Sequence, residues 1–132
     1  MGIANAGRAV VSARLYGTAS AAYGAIGLGT GTTAFAATDT TLETEKKTDG
    51  TAASGVHAIA SGSVTASSVT TTITNDTAQF VGTATFTASL AVTESGLFNA
   101  DTNGTLLARQ TFSAVNVVSG DSIQFTWKIK NA

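Results

Sequence analysis

A chain of 132 residues with a net charge of −1, 11% charged and 43% apolar residues and no cysteine is long enough to bury one hydrophobic core and too short for two. The charged fraction is far below the roughly 25% of ordinary soluble domains, and Arg8, Arg14, Lys46, Lys47, Arg109, Lys128 and Lys130 are too scattered for a nucleic-acid footprint. Without cysteine, disulfide staples, thiolate zinc clusters and thiol catalysis are excluded.

Met1-Gly2-Ile3-Ala4-Asn5 shows no basic region leading into an apolar stretch, and no span approaches bilayer length. Neither an export signal nor membrane association is expected. Ile3, Ala6, Val10 and Ala13, with Val11 and Leu15 on the adjoining face, recur at near-helical spacing. They predict a short helix or docking arm over residues 1–17, with Asn5 as its cap and Gly17 as its stop.

Residues 18–50 are rich in Gly, Ala and Thr. Ala25-Ile26-Gly27-Leu28-Gly29 predicts a strand with Ile26 and Leu28 on one face, followed by a loop from Thr30 to Thr41. Thr38 to Gly50 gathers Asp39, Glu43, Glu45, Lys46, Lys47 and Asp49. This charged segment predicts a solvated loop or a single helical turn, open to use as a contact surface.

From residue 55 to 132 the period becomes two. Val69, Thr71 and Ile73 alternate, and Asn75-Asp76 turns the chain. Phe80, Gly82, Ala84, Phe86, Ala88, Leu90 and Val92 then predict one face of a long strand. After Leu97-Phe98, the run Asn99 to Gly104 supplies residues that tolerate positive φ, so Leu106, Ala108, Gln110 and Phe112 return as a hairpin. A turn at Ser119-Gly120-Asp121 leads to a last strand with Ile123, Phe125, Trp127 and Ile129 inward and Gln124, Thr126, Lys128 and Lys130 outward. Strands at this spacing, with no helix between them, predict a single all-β domain, an antiparallel β-sandwich or small barrel with a short N-terminal helix or arm. The chain has no proline, so its strand edges lack one common guard against another chain adding on.

Motifs that carry chemistry are sparse. The glycines between Gly24 and Gly31 are followed by no lysine, and the third glycine of a dinucleotide fingerprint would fall on Thr32 or Ala34. His57 is the sole histidine and no serine sits in a nucleophile context, so it reads as a strand residue with one satisfied nitrogen rather than as part of a triad. Asp101-Thr102-Asn103-Gly104 resembles the start of a calcium loop but lacks the later bidentate Glu, and a hairpin turn explains it as well. Glu94 is expected to satisfy buried backbone or to pair with Arg109 across the hairpin. Asn75-Asp76-Thr77 and Asn103-Gly104-Thr105 match the glycosylation pattern by chance. No catalytic, cofactor-binding or metal-binding residue is assigned.

Asn5-Ala6-Gly7-Arg8, Gly27-Leu28-Gly29-Thr30-Gly31-Thr32-Thr33, Thr38-Asp39-Thr40-Thr41-Leu42-Glu43-Thr44-Glu45, Val92-Thr93-Glu94-Ser95-Gly96-Leu97-Phe98-Asn99-Ala100 and Leu106-Leu107-Ala108-Arg109-Gln110-Thr111-Phe112 together resemble small virion structural proteins of tailed bacteriophages. They are similar both to stand-alone capsid-associated proteins and to the amino-terminal domain of tail-collar fibres. The resemblance spans Asn5 to Trp127 and rests on structural rather than catalytic motifs.

What it implies is a non-enzymatic capsid decoration or cement protein on the outer surface of a phage head, in a virion assembled in the host cytoplasm. The alternative is a tail-collar, fibre-base or other tail-associated protein, and a carbohydrate-binding module would need an exposed platform among Tyr16, Tyr23 and Trp127. The implied partners are the major capsid protein or other virion proteins and further copies of the chain in a trimer or ring, with no cofactor, nucleic acid or membrane. The expected interface residues are Ile3, Arg8, Val10, Arg14 and Tyr16 in the amino-terminal segment, and Asp39, Glu43, Glu45, Lys46 and Lys47 in the charged segment.

Overall fold

The computed structural model describes residues 2–15 and 22–130, with the Arg14 side chain, Tyr16 and the expected stop at Gly17 outside the described part. The elements in chain order are β1 (Gly2–Ile3), α1 (Asn5–Leu15), β2 (Ala25–Gly29), β3 (Glu45–Lys46), β4 (Val64–Val69), β5 (Thr77–Thr85), β6 (Leu90–Phe98), β7 (Leu106–Val117) and β8 (Ser122–Lys130). They form two antiparallel sheets, one ordered β1-β7-β6-β2-β3 and the other β4-β5-β8. The fold is all-β and sandwich-like, with one short N-terminal helix.

Between the sheets lies a core of Ile26, Leu28, Phe80, Phe86, Val92, Leu97, Phe125 and Trp127. Alternation in β8 places Phe125 and Trp127 inward while Gln124, Thr126 and Lys128 stay exposed. Burying each such aromatic contributes roughly 2–3 kcal/mol. The Trp127 indole N–H donates to Ser95 Oγ at 3.1 Å, and Ser95 Oγ donates to the Gly27 carbonyl at 2.9 Å, so the polar atoms carried into the core are paired.

A second cluster of Ala4, Ala25, Leu42, Phe98 and Leu106 sits on the other face of the five-stranded sheet, where the loop from Thr30 to Thr44 covers it. Both faces of that sheet are therefore buried at its centre, and β6 is closed to solvent from Val92 to Phe98. That burial explains why alternation is weak there.

Four local expectations are corrected. The first helical hydrogen bond runs from Arg8 N–H to the Ala4 carbonyl, which makes Ala4 the capping residue, puts Asn5 inside the helix and leaves Ile3 in β1. Gly7 is a poor helix former, but a Cβ there would lie 2.6 Å from Leu107 Cα, and its absence lets α1 rest on β7.

The alternation expected at Val69, Thr71 and Ile73 ends at Val69. Asp76 captures the N–H groups of Thr71, Thr72 and Ile73, which closes a loop where a strand would need those donors for a neighbour.

The long strand through Phe80 and Val92 is two strands. Phe86 N–H bonds to the Asp121 carbonyl and Thr87 N–H to that of Thr48, so the chain leaves one sheet and enters the other between Thr85 and Leu90, with Phe86 and Val92 still buried.

Finally, Leu106 pairs with Phe98 and Ala108 with Leu97 across a register shift. The extra residue sends Leu106 and Ala108 to opposite faces instead of one.

Candidate functional site

Glu94 on β6 and Arg109 on β7 lie under the 30–44 loop, with side chains 0% and 2% exposed. Arg109 Nε donates to Glu94 Oε1 at 2.9 Å. Glu43 N–H reaches the same oxygen at 2.9 Å, and Gly31 N–H and Thr44 N–H reach Oε2 at 2.7 and 2.8 Å. Four donors occupy all the acceptor positions of one carboxylate. The guanidinium continues outward, with Nη2 donating to the Thr33 carbonyl at 2.7 Å and Nη1 to Asp39 Oδ2 at 3.1 Å. Thr93 Oγ adds a bond to the Gly31 carbonyl at 2.7 Å.

The expectation for Glu94 is met in both its forms, buried backbone and Arg109. It also explains the glycines that superficially suggest a phosphate loop. A Cβ on Gly29 would lie 2.7 Å from Glu94 Oε2, and one on Gly31 would collide with the same oxygen. These glycines make room for a carboxylate of the chain itself.

A second constellation surrounds His57. Its ring stacks on Phe98 with centroids 3.7 Å apart and planes 11° from parallel. Nδ1 lies 2.7 Å from Glu45 Oε2, and Gly104 N–H donates to Nε2 at 3.2 Å. A nitrogen that accepts from a backbone N–H carries no proton, so the proton sits on Nδ1 and is donated to Glu45. Both nitrogens are therefore engaged, where the sequence suggests one.

His57 stands in an irregular segment between isolated bridges at Val56 and Ile59 rather than in a strand. It forms the floor of an open recess of about 550 Å³ with Leu42, Glu45, Ala53, Phe98 and Asn103. Ser54 and Asn103 at its rim have φ of 52° and 51°, a backbone region in which Asn is favoured and Ser uncommon. With Nε2 bonded to backbone, the imidazole has no lone pair free to take a proton from a hydroxyl on the rim.

The expected interface residues divide. Ile3 is half-buried in β1, and Arg8, exposed, donates from Nε to the Ile3 carbonyl at 3.3 Å. Val10 is half-buried in α1. Asp39 serves Arg109, and Glu45 serves His57 with its side chain only 13% exposed. Glu43 is exposed and accepts from Thr32 N–H at 2.9 Å. Bonds from the Thr33 side chain and the Thr32 N–H hold its carboxyl below the usual range. Lys46 and Lys47 are half-buried beside the Lys46–Ala52 bridge. The charged segment is mostly a solvated loop, one of the two forms expected, and not a helical turn; it also carries β3, and three of its acids, Asp39, Glu43 and Glu45, tie the loops together.

No family model, curated protein or solved structure matches the chain. Among the described residues no three His, Cys, Asp or Glu side chains gather as a metal site, and no helix is long and apolar enough to cross a membrane. Asp101 Oδ1 accepts Ser61 N–H at 2.7 Å, which ties the would-be cation loop to a neighbouring turn. That bond leads the effects that hold its carboxyl below the usual range.

The outer face of the three-stranded sheet completes the surface. Its rows run Ser67–Gln79–Lys128, Thr65–Val81–Thr126, Thr83–Gln124 and Thr85–Ser122. Thr65, Ser67, Thr83, Thr85, Gln124 and Thr126 are all exposed. The sequence finds half of this face, the polar side of β8, because β8 alternates strictly. The other half was hidden, because no periodicity tells which strands lie beside it.

Proposed function

We propose that this chain is a non-enzymatic structural protein of a tailed-phage particle, and specifically a decoration protein that binds the outside of the assembled head and stabilises it. The observation that carries this reading is the hydroxyl-rich outer face of β4-β5-β8, on which Lys128 and Lys130 are the charges among the paired residues. Burying such a face against a shell requires one hydrogen bond per hydroxyl and few ion desolvations. The ionisable side chains that could have supplied chemistry, Glu94, Arg109 and His57, are instead bonded within the fold. The virion-like motifs of the sequence support the same assignment.

The mechanism is linkage. A protein that binds only the assembled shell shifts the equilibrium toward it, and the effect is multiplied over many equivalent sites.

The test compares particles made with and without the chain. Cryo-EM should show it repeated across the head surface, and particles lacking it should release their genome at a lower temperature. Density confined to one vertex would assign it to the tail or collar instead, and equal thermal stability of the two particles would overturn the stabilising role.

A further inference from the structure

The two edges of the three-stranded sheet differ in kind. β4, at one edge, is exposed at each of its four middle residues, so a strand added there would gain backbone hydrogen bonds and little else. β8, at the opposite edge, runs nine residues in unbroken register with β5 and carries Phe125 and Trp127 of the core. Among the described residues its backbone pairs with β5 alone. It has neither proline nor bulge, two of the devices that keep an edge from accepting another strand.

Outward from Thr126, β8 is close to a palindrome in chemical character. Phe125 and Trp127 flank the centre and are buried, whereas Ile123 and Ile129, at equal distances beyond them, are both half-buried. On the outer face Gln124 and Ser122 stand on one side of the centre as Lys128 and Lys130 do on the other. A two-fold contact requires each residue to meet its counterpart in both directions, and antiparallel pairing of two β8 strands about Thr126 meets that condition over all nine residues. Ile123 of one copy would face Ile129 of the other, each covering apolar surface that its own fold leaves open. Lys128 would face Gln124, and Lys130 would face Ser122. Parallel in-register pairing would instead set lysine against lysine, so the two lysines oppose open stacking of many copies and permit a closed pair.

The same arrangement brings the start of one β8 beside the end of the other. Val118, 57% exposed in the turn leading into β8, and the groove of Val11, Leu15 and Ile129 near its end then come to the same end of the joint. We infer that two copies of this chain join β8 to β8, antiparallel and centred on Thr126, into one six-stranded sheet ordered β4-β5-β8-β8-β5-β4. The hydroxyl-bearing outer faces become continuous across it. This goes beyond the proposed function, because the joint depends on β8 and not on where the protein sits in a particle.

Sedimentation of the purified chain over a concentration series, with thermal melting to confirm folding, tests the joint. The unmodified chain should form a dimer. Thr126→Lys alters an exposed side chain and sets two lysines opposite each other at the centre, so the variant should fold and its dimer should be severalfold weaker. Gln124→Glu sets a carboxylate opposite Lys128 twice in each dimer and should tighten it by about two- to thirtyfold. Ser67→Lys, on the β4 edge, should leave the dimer unchanged.

A chain that stays monomeric at all concentrations, an undiminished Thr126→Lys dimer, or a dimer weakened by Gln124→Glu would each overturn the inference. Dimerisation lost in Ser67→Lys would put the joint at β4 and overturn it as well. Heads no more stable with the chain than without it, while the dimer behaves as expected, would count against the proposed function alone.

Discussion

Arg109 Nε lies 2.9 Å from Glu94 Oε1 with both side chains closed to solvent, and the same carboxylate receives Gly31, Glu43 and Thr44 from the loop above it. The pair joins β6 to β7 and, at the same time, fastens the 30–44 loop to the sheet. Glutamine in place of Glu94 turns one acceptor oxygen into a donor, so two of the four N–H groups around it lose their acceptor and Arg109 is left buried without its opposite charge. Glu94→Gln should therefore cost about 3–5 kcal/mol, read as a lower denaturant midpoint. Combining it with Arg109→Met should cost less than the two single changes added together, since each already removes the shared bond.

Gly31→Ala probes the same clamp from the loop side. Its Cβ would collide with Glu94 Oε2 and press on Glu43 Cβ at 2.5 Å. The expected loss is about 1–3 kcal/mol, although alanine restricts the unfolded chain and at an open site would stabilise. Gly62, with nothing within 4 Å of its Cβ position, is such an open site and serves as the control, and Gly62→Ala should raise stability slightly, by about 0.4–1 kcal/mol.

His57→Phe keeps a ring against Phe98 but removes both hydrogen bonds, leaving the Glu45 carboxylate and the Gly104 N–H unpaired. The expected cost is about 2–3 kcal/mol. Hydrogen exchange should separate this from lost packing, with the Gly104 amide exchanging faster in the variant while amides in the β5–β8 ladder keep their protection relative to global stability.

Asp76 sets an acid dependence. Hydrogen bonds from the N–H groups of Ile73, Thr71 and Thr72 hold its carboxyl well below the usual range, whereas in the unfolded chain it titrates near the ordinary value of about 3.9. Between those two values the unfolded state binds the extra proton. The contribution is present above about pH 4 and is lost as pH falls through the folded value. Asp76→Asn should melt lower at pH 7 and lose less on further acidification. Asp49, also held low by its bonds to Thr51, keeps part of the acid sensitivity in the variant.

Tyr23 offers a change in the opposite direction. Its hydroxyl is buried with no hydrogen-bond partner among the described residues, and burial pushes its pKa up to about 12. Tyr23→Phe should raise stability by roughly 1 kcal/mol, visible as a higher melting temperature.

Local periodicity and turn chemistry specify the β character of residues 55–132, the inward row of Phe125 and Trp127 and the turns at Asn103 and Gly120, and they offer Arg109 as one of two partners for Glu94. Each of these depends on neighbours in the chain or across a single hairpin, where period and turn chemistry are local. Tertiary structure alone decided that the 30–44 loop folds over the second face of the five-stranded sheet, that Glu45 meets His57, and that Thr85 to Leu90 passes between sheets. Those outcomes depend on which strands become neighbours, and that is fixed when distant segments bury each other's apolar surface. Gly29 and Gly31 show the difference most clearly. In sequence they resemble a place left for a ligand, and in the fold the space belongs to Glu94.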